Sequence, residues 1–328
     1  MKKFCALLVL ALLLSQIAVN AQSASAGSAH RLIAEPDDGR NALLYMLDNA
    51  KETITLTIYE IDDPEINAAL IRAVKRGVKV QILYNYYSFL SMGREYRLEP
   101  VLSAFKTAGI QLRRAPQQFT VTHQKTFTVD GKTSLVMSFN LQPNYFGATR
   151  DFAIITTVPG EVGEIARVFE ADWNARDIVP EVSSLVWSPV NSRQKLLALI
   201  AGATKTLDIY NEEAEDREIL QALTDAAKRG VKVRFISAQL GERGIDRNQE
   251  GRDFLNAHGV TAKCVTSLYI HAKMILADFS TPAAQAFVGS ENFSWTSLDR
   301  NRELGVLVTE EEILERLHAT FETDWAKQ

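Results

Sequence analysis

Cysteine is nearly missing: the 328 residues contain two, Cys5 and Cys264. That excludes a disulfide-stapled scaffold. Cys264 lies in the apolar-leaning run Val260 to Val265 with no activating neighbour, and it reads as a small core side chain rather than a catalytic thiol. An excess of basic charge is missing too. The 36 Lys and Arg stand against 40 Asp and Glu, for a net charge of −4, which argues against a dedicated nucleic-acid binder. With 9 Pro, 17 Gly and a hydrophobic share of 46%, collagen-like and disordered classes are excluded. The sequence has no Gly-rich phosphate-cradling loop, no metal-ligand spacing and no coiled-coil heptads.

What is present begins with a leader. Lys2 and Lys3 precede an unbroken apolar run from Phe4 to Leu14, and Val19-Asn20-Ala21 offers a small-x-small cleavage pattern. The run is well short of the ~20 residues a membrane-spanning helix needs. Residues 1–21 therefore read as a signal peptide, and the protein as exported, periplasmic or secreted. An uncleaved anchor extended through Ile17 to Val19 is disfavoured by Ser15 and Gln16. Cys5 is too near the start of the run to carry a lipid.

The chain is then written twice. Ala73-Val74-Lys75-Arg76-Gly77-Val78-Lys79-Val80 recurs as Ala226-Ala227-Lys228-Arg229-Gly230-Val231-Lys232-Val233. In the same order come Pro36 and Pro189, Arg40 and Arg193, Thr53 and Thr206, Asn140 and Asn292, Arg150 and Arg302, and Asp172-Trp173 and Asp324-Trp325. The last pair closes matching helices and reads as core packing. The spacing defines two repeats, 28–178 and 182–328. Each alternates strand and helix. Thr53 to Ile61 is β-branched and alternating, Asp63-Pro64 is an N-cap followed by a first-turn proline, and Gly77 ends that helix before the strand Val78 to Tyr84. The expected fold class is α/β: two tandem domains, each a largely parallel or mixed sheet flanked by helices, related by a pseudo-two-fold axis.

His123-x-Lys125 and His271-x-Lys273 are the sharpest signal. In an extended segment, residues two apart share a face, so each pair presents an imidazole beside an ammonium. A two-residue turn at Asp130-Gly131 would pair His123 with Ser138. A turn at Gly131-Lys132 would pair it with Asn140. Either register puts His, Lys, Ser and Asn on one face. The second copy's four extra residues between Asp278 and Gly289 preserve that parity for His271, Ser290 and Asn292. Asp130 and Asp278 stand an odd number of residues from their lysines and read as structural turn residues.

His-x-Lys-x4-Asp followed by Ser-x-Asn, occurring twice, resembles the phospholipase D superfamily. The copies are His123, Lys125, Asp130, Ser138, Asn140 and His271, Lys273, Asp278, Ser290, Asn292, with Asn301 and Glu303 matching the family's downstream Asn-x-Glu. Met137 departs from the family's usual Gly, and Thr149 and Asp151 stand where the family has Asn and Glu. The resemblance covers essentially the whole chain after the leader. It implies a phosphohistidine intermediate, no metal or other cofactor, and the N-terminal histidine as nucleophile. His123 is accordingly assigned as nucleophile and His271 as acid/base, with Lys125, Lys273, Asn140 and Asn292 on the phosphoryl oxygens and Ser138 and Ser290 in support. Asp151 and Glu303 are expected to orient a histidine each, of the same or the opposite repeat.

These residues point to a metal-independent phosphodiesterase cleaving the distal phosphodiester of phospholipids at a membrane or micelle surface, by hydrolysis or transfer to an alcohol. No obligate protein partner is implied. A secreted nuclease acting on DNA or RNA is the rival, weakened by the acidic charge. An inactive lipid- or partner-binding module is opposed by the two intact His-Lys pairs. Membrane-embedded cardiolipin synthesis is disfavoured by the lack of a spanning segment once the leader is removed. The aromatic run Tyr84, Tyr86, Tyr87, Phe89 and Leu90, unmatched in the second repeat, is the candidate lipid-facing rim.

Overall fold

The computed structural model describes residues 28–85, 95–241 and 245–327. The leader at 1–21 and Tyr86, Tyr87, Phe89 and Leu90 lie outside the described residues. The first half runs β1 (His30–Glu35), α1 (Asn41–Asn49), β2 (Thr53–Ile58), α2 (Pro64–Lys75), β3 (Lys79–Tyr84), α3 (Glu95–Ala108), β4 (Gln111–Arg114), β5 (Thr126–Val129), β6 (Thr133–Met137), β7 (Thr149–Thr156) and α4 (Pro159–Trp173). The second runs β8 (Leu185–Ser188), α5 (Ser192–Gly202), β9 (Thr206–Asn211), α6 (Arg217–Lys228), β10 (Lys232–Ser237), α7 (Gln249–Ala257), β11 (Thr261–Cys264), β12 (Tyr269–Ile270), β13 (Lys273–Ala277), β14 (Gln285–Gly289), α8 (Trp295–Asp299), β15 (Glu303–Val308) and α9 (Glu311–Trp325).

Both sheets are mixed and share one topology. The first has the order β1-β7-β6-β5-β2-β3-β4, and the second, read from its β8 edge, β8-β15-β14-β13-β9-β10-β11. Within each half, β2, β3 and β4, and their counterparts β9, β10 and β11, run parallel, and the other neighbours in these two orders are antiparallel. The α2 crossover between β2 and β3 follows from local chemistry. Asp63 accepts the amides of Glu65 and Ile66, Pro64 opens the helix, and Ile66, Ala69, Leu70 and Ala73 form its buried stripe. Gly77, at φ 92°, takes the left-handed step that ends it.

Each sheet packs one face on its own helices. The other faces meet in a shared core, where Val136, Phe152 and Ile154 of the first half pack with Met274, Leu276, Val288, Leu304 and Val306 of the second. The halves also exchange backbone. β12 adds to β7 in parallel, pairing Tyr269 with Thr149 and Ile270 with Arg150, and Thr122 bridges Arg302 in the same sense. Two buried ion pairs cross the same seam. Arg150 Nε lies 2.6 Å from an Asp324 oxygen, and Arg302 Nη2 lies 2.7 Å from one of Asp172. Asp172 and Asp324 are therefore not simple packing residues: each neutralises the arginine beside a site carboxylate of the other half.

The β5–β6 register differs from both sequence readings by one residue. Val129 pairs with Thr133, so the turn holds three residues, Asp130, Gly131 and Lys132. Thr126 pairs with Val136, and Met137 donates to the Lys125 carbonyl. Continuing this register, Ser138 stands opposite Gln124, on the other face from His123 and Lys125. The same holds in β13–β14, where Lys273 pairs with Gly289. The cause is the aspartate. At φ 53° Asp130 turns its carboxylate outward to the amides of Lys51, Glu52 and Thr53, and Asp278, at φ 52°, does so for Thr204, Lys205 and Thr206. That use of the side chain widens the turn.

Candidate active site

The site forms where the loops before β5 and β13 meet the opposite half. His123 and Gln124 both donate backbone N–H to the Arg302 carbonyl, and His271 and Ala272 do the same to Arg150. Each histidine is thereby laid beside the residue that follows that arginine. His123 Nδ1 lies 2.8 Å from Glu303 Oε2, and His271 Nδ1 lies 2.8 Å from Asp151 Oδ1. The open question of which repeat each acid serves is answered crosswise, and one composite site needs both halves.

Each carboxylate is held in place. Asp151 accepts from Ser138 Oγ and Thr149 Oγ1, both at 2.6 Å. Glu303 Oε1 accepts from Ser297 Oγ at 2.8 Å and Asn301 Nδ2 at 3.2 Å. Thr149 thus fills the same role as Asn301, so the departure from the family pattern leaves the contact intact. Ser290 Oγ accepts the Leu304 amide. Ser138 and Ser290 reach the acids and their strands from the interface face, not across the ladder from the histidines.

The two lysines fold back alike: Lys125 Nζ donates to the His123 carbonyl and Lys273 Nζ to the His271 carbonyl. Their other surroundings differ. Lys125 Nζ lies 5.2 Å from the Tyr59 ring centroid, and Tyr59 meets the His123 ring edge-on at 4.7 Å. Lys273 Nζ lies 2.9 Å from Glu212 Oε2, which is also 3.4 Å from Asn292 Nδ2 and 3.5 Å from His271 Nε2. Asn140 Nδ2 donates to the Tyr145 hydroxyl at 3.3 Å, and the Tyr145 ring packs edge-on to His271 at 4.8 Å.

Burial, reinforced by the Lys125 and Lys273 charges, pushes His123 down to about 4 against the pull of Glu303. It is a neutral imidazole at neutral pH. With its Nδ1 proton directed at Glu303, its Nε2 carries the lone pair, the form a nucleophile requires. Burial likewise pushes Lys125 down to about 7, with the charge of Lys273 adding to the shift. Although burial opposes ionisation, Lys273 and His271 hold Glu212 well below the usual carboxylate range.

Asp130 and Asp278 stand apart from this cluster, bonded to backbone at the far ends of the hairpins. Tyr84 is buried in the first-half core rather than on a rim. Tyr59, Tyr145, Glu212 and the two cross-half arginines were not singled out from sequence. Arg150 and Arg302 were visible as a repeated pair. Tyr59 and Glu212 occupy matching places after β2 and β9 but share no chemistry, so the duplication hid them. Among the described residues, one group has metal-ligand proximity, Asp208, His318 and Glu322. Arg234 already sits there, 2.7 Å from Asp208 and 2.6 Å from Glu322, and supplies the countercharge.

The family described as "Cardiolipin synthase, PLD-like domain" matches residues 43–173 and 196–325. Cardiolipin synthase 1 of Bacillus anthracis is 24% identical over 344 residues, covering 90% of this chain and 66% of that protein. The chain thus spans about two thirds of that relative's length. Among solved structures, the polyphosphate kinase of Porphyromonas gingivalis superposes with a TM-score of 0.69 at 15% identity, over 91% of this chain and 50% of that one. The phosphatidylserine synthase of Haemophilus influenzae gives 0.65 at 12% identity, over 90% and 86%. At such identities the structures share the fold. With a phospholipase D-like domain matched in each half, and both His-Lys pairs within them, the chain belongs to the phospholipase D superfamily of phosphodiester-processing enzymes.

Proposed function

We propose that this protein cleaves the distal phosphodiester of phospholipids in two steps at its composite site. The observation that carries this reading is the inequality of the two crosswise-held histidines. His123 is kept neutral beside one carboxylate, whereas His271 has Asp151 at Nδ1 and Glu212 near Nε2. Asp151 orients the His271 ring through Nδ1 and leaves Nε2 toward the reacting group, the placement a general acid/base needs.

His123 Nε2 attacks phosphorus, and the bond to the head-group oxygen breaks as His271 gives that oxygen its proton. The product is a phosphatidyl-His123 intermediate and a free head-group alcohol. His271, now neutral, takes a proton from water or from an alcohol, whose oxygen displaces His123 from phosphorus. Lys125 and Lys273, with the Asn140 and Asn292 amides, stabilise charge on the non-bridging oxygens. Phospholipid is favoured as substrate by the relatives named cardiolipin synthases and by the acidic chain. The same relatives keep transfer to a lipid alcohol as the second fate of the intermediate. The leader-like N-terminus supports action outside the cytoplasm.

The test is to incubate the protein with mixed phospholipid vesicles, with and without added alcohol, and separately with single- and double-stranded nucleic acid. Phosphatidic acid or a transphosphatidylated lipid is expected. Nucleic acid cut without any lipid product would establish the nuclease reading instead.

A further inference from the structure

The two half-sites differ in charge at one matching position beside the lysines. Tyr59 follows β2 and Glu212 follows β9. Two residues later Ile61 and Ala214 bridge Leu141 and Phe293, and then Asp63 and Asp216 cap matching helices. Tyr59 and Glu212 are therefore structural equivalents. In the first half, the ring lies against Lys125 and His123. In the second, a carboxylate oxygen faces Lys273 Nζ, Asn292 Nδ2 and His271 Nε2 together, at 2.9, 3.4 and 3.5 Å.

Those three donors are the ones the second motif would offer to a phosphoryl oxygen. Glu212 Oε2 sits among them as an internal anion. It is held from behind, since the other oxygen accepts the Tyr269 hydroxyl at 2.7 Å. A phosphoryl group entering beside it meets a fixed negative charge, and the repulsion scales with the charge of the ligand. A phosphodiester carries one negative charge. A phosphomonoester above its second pKa of about 6 carries two.

We propose that Glu212 is a specificity-determining residue, a fixed negative charge lining the phosphoryl seat of the second half-site so that the site selects monoanionic phosphodiesters against dianionic phosphomonoesters. This rests on the proposed function only in taking the two motifs as phosphoryl ligands. It has a consequence for the lipid reaction: phosphatidic acid, the monoester product of hydrolysis, is disfavoured in the site that makes it.

The test compares wild type with Glu212→Gln, which keeps the shape and an acceptor for Tyr269 but removes the charge. At pH 8, dissociation constants are measured by calorimetry for phenyl phosphate, a dianion, and diphenyl phosphate, a monoanion. Because repulsion doubles with ligand charge, the factor gained by the dianion should be about the square of that gained by the monoanion: roughly tenfold against roughly threefold. Glu212→Ala repeats the comparison should the glutamine variant not fold, and its gains should follow the same order. Equal gains for both ligands, no gain, or failure of phenyl phosphate to bind any of the proteins would overturn the proposal. Calorimetry needs no turnover, so a substrate other than phospholipid would leave this test intact.

Discussion

Glu303→Gln isolates the crosswise acid. The side chain keeps its shape, and the change removes the charge 2.8 Å from His123 Nδ1. As His123 bonds to phosphorus its ring becomes cationic. A full charge at that distance is worth about 6 kcal/mol at an effective dielectric of 20, and half-developed charge in the transition state about 3. That corresponds to a loss of roughly 10²-fold in kcat. KM should change little, because Glu303 faces the nucleophile rather than the phosphoryl oxygens. The amide also sets N–H hydrogens against the donors Ser297 and Asn301, so urea unfolding must accompany the kinetics. A soluble activated diester such as bis(p-nitrophenyl) phosphate gives the assay. The pH profile separates chemistry from a structural effect. The Glu303 charge raises His123, so its removal should move the acid limb further toward acid. A loss under threefold in a folded variant, or an unmoved acid limb, would refute the reasoning.

Three further outcomes are expected. For the soluble diester, kcat/KM should be bell-shaped: the acid limb falls as His123 is protonated near 4, and the basic limb falls as Lys125 loses its charge near 7; an acid limb at 6.5, or a plateau to pH 9, would contradict this. Asp278→Ala orphans the amides of Thr204, Lys205 and Thr206, and should cost roughly 2–4 kcal/mol in urea unfolding with kcat within about twofold. Asp278→Asn keeps an acceptor and tolerates the positive φ, and should cost less; an equally stable but inactive Asp278→Ala protein would place the residue in the chemistry. Activity should persist in excess chelator, and rescue by one divalent ion after chelation would overturn the metal-free mechanism.

Much of the architecture was legible because duplication carries its own register. The repeated Lys-Arg-Gly-Val segments, the Asp63-Pro64 cap and the β-branched run after Thr53 mark the parallel strands and their crossover helices from local chemistry alone. The hairpin register was not legible. A favoured Asp-Gly turn points to a two-residue loop, but Asp130 and Asp278 spend their carboxylates on backbone amides far away in sequence. The His-Lys motifs were plain, yet the crosswise pairing rests on β12 and Thr122 docking on the opposite half, which no local pattern encodes. Glu212 was hidden for a related reason. Matching the repeats by identity passes over a position whose importance lies in being different.

The central claim is a two-step reaction through His123, and covalent trapping tests it most directly. His271→Ala protein mixed with a short-chain phosphatidyl substrate bearing an activated leaving group can complete the first step without a general acid, but lacks the base for the second. Acid-labile mass added to the protein, mapped to the peptide containing His123 and lost in the His123→Ala/His271→Ala double variant, is the predicted result. No covalent adduct, or an adduct that persists without His123, would contradict the account.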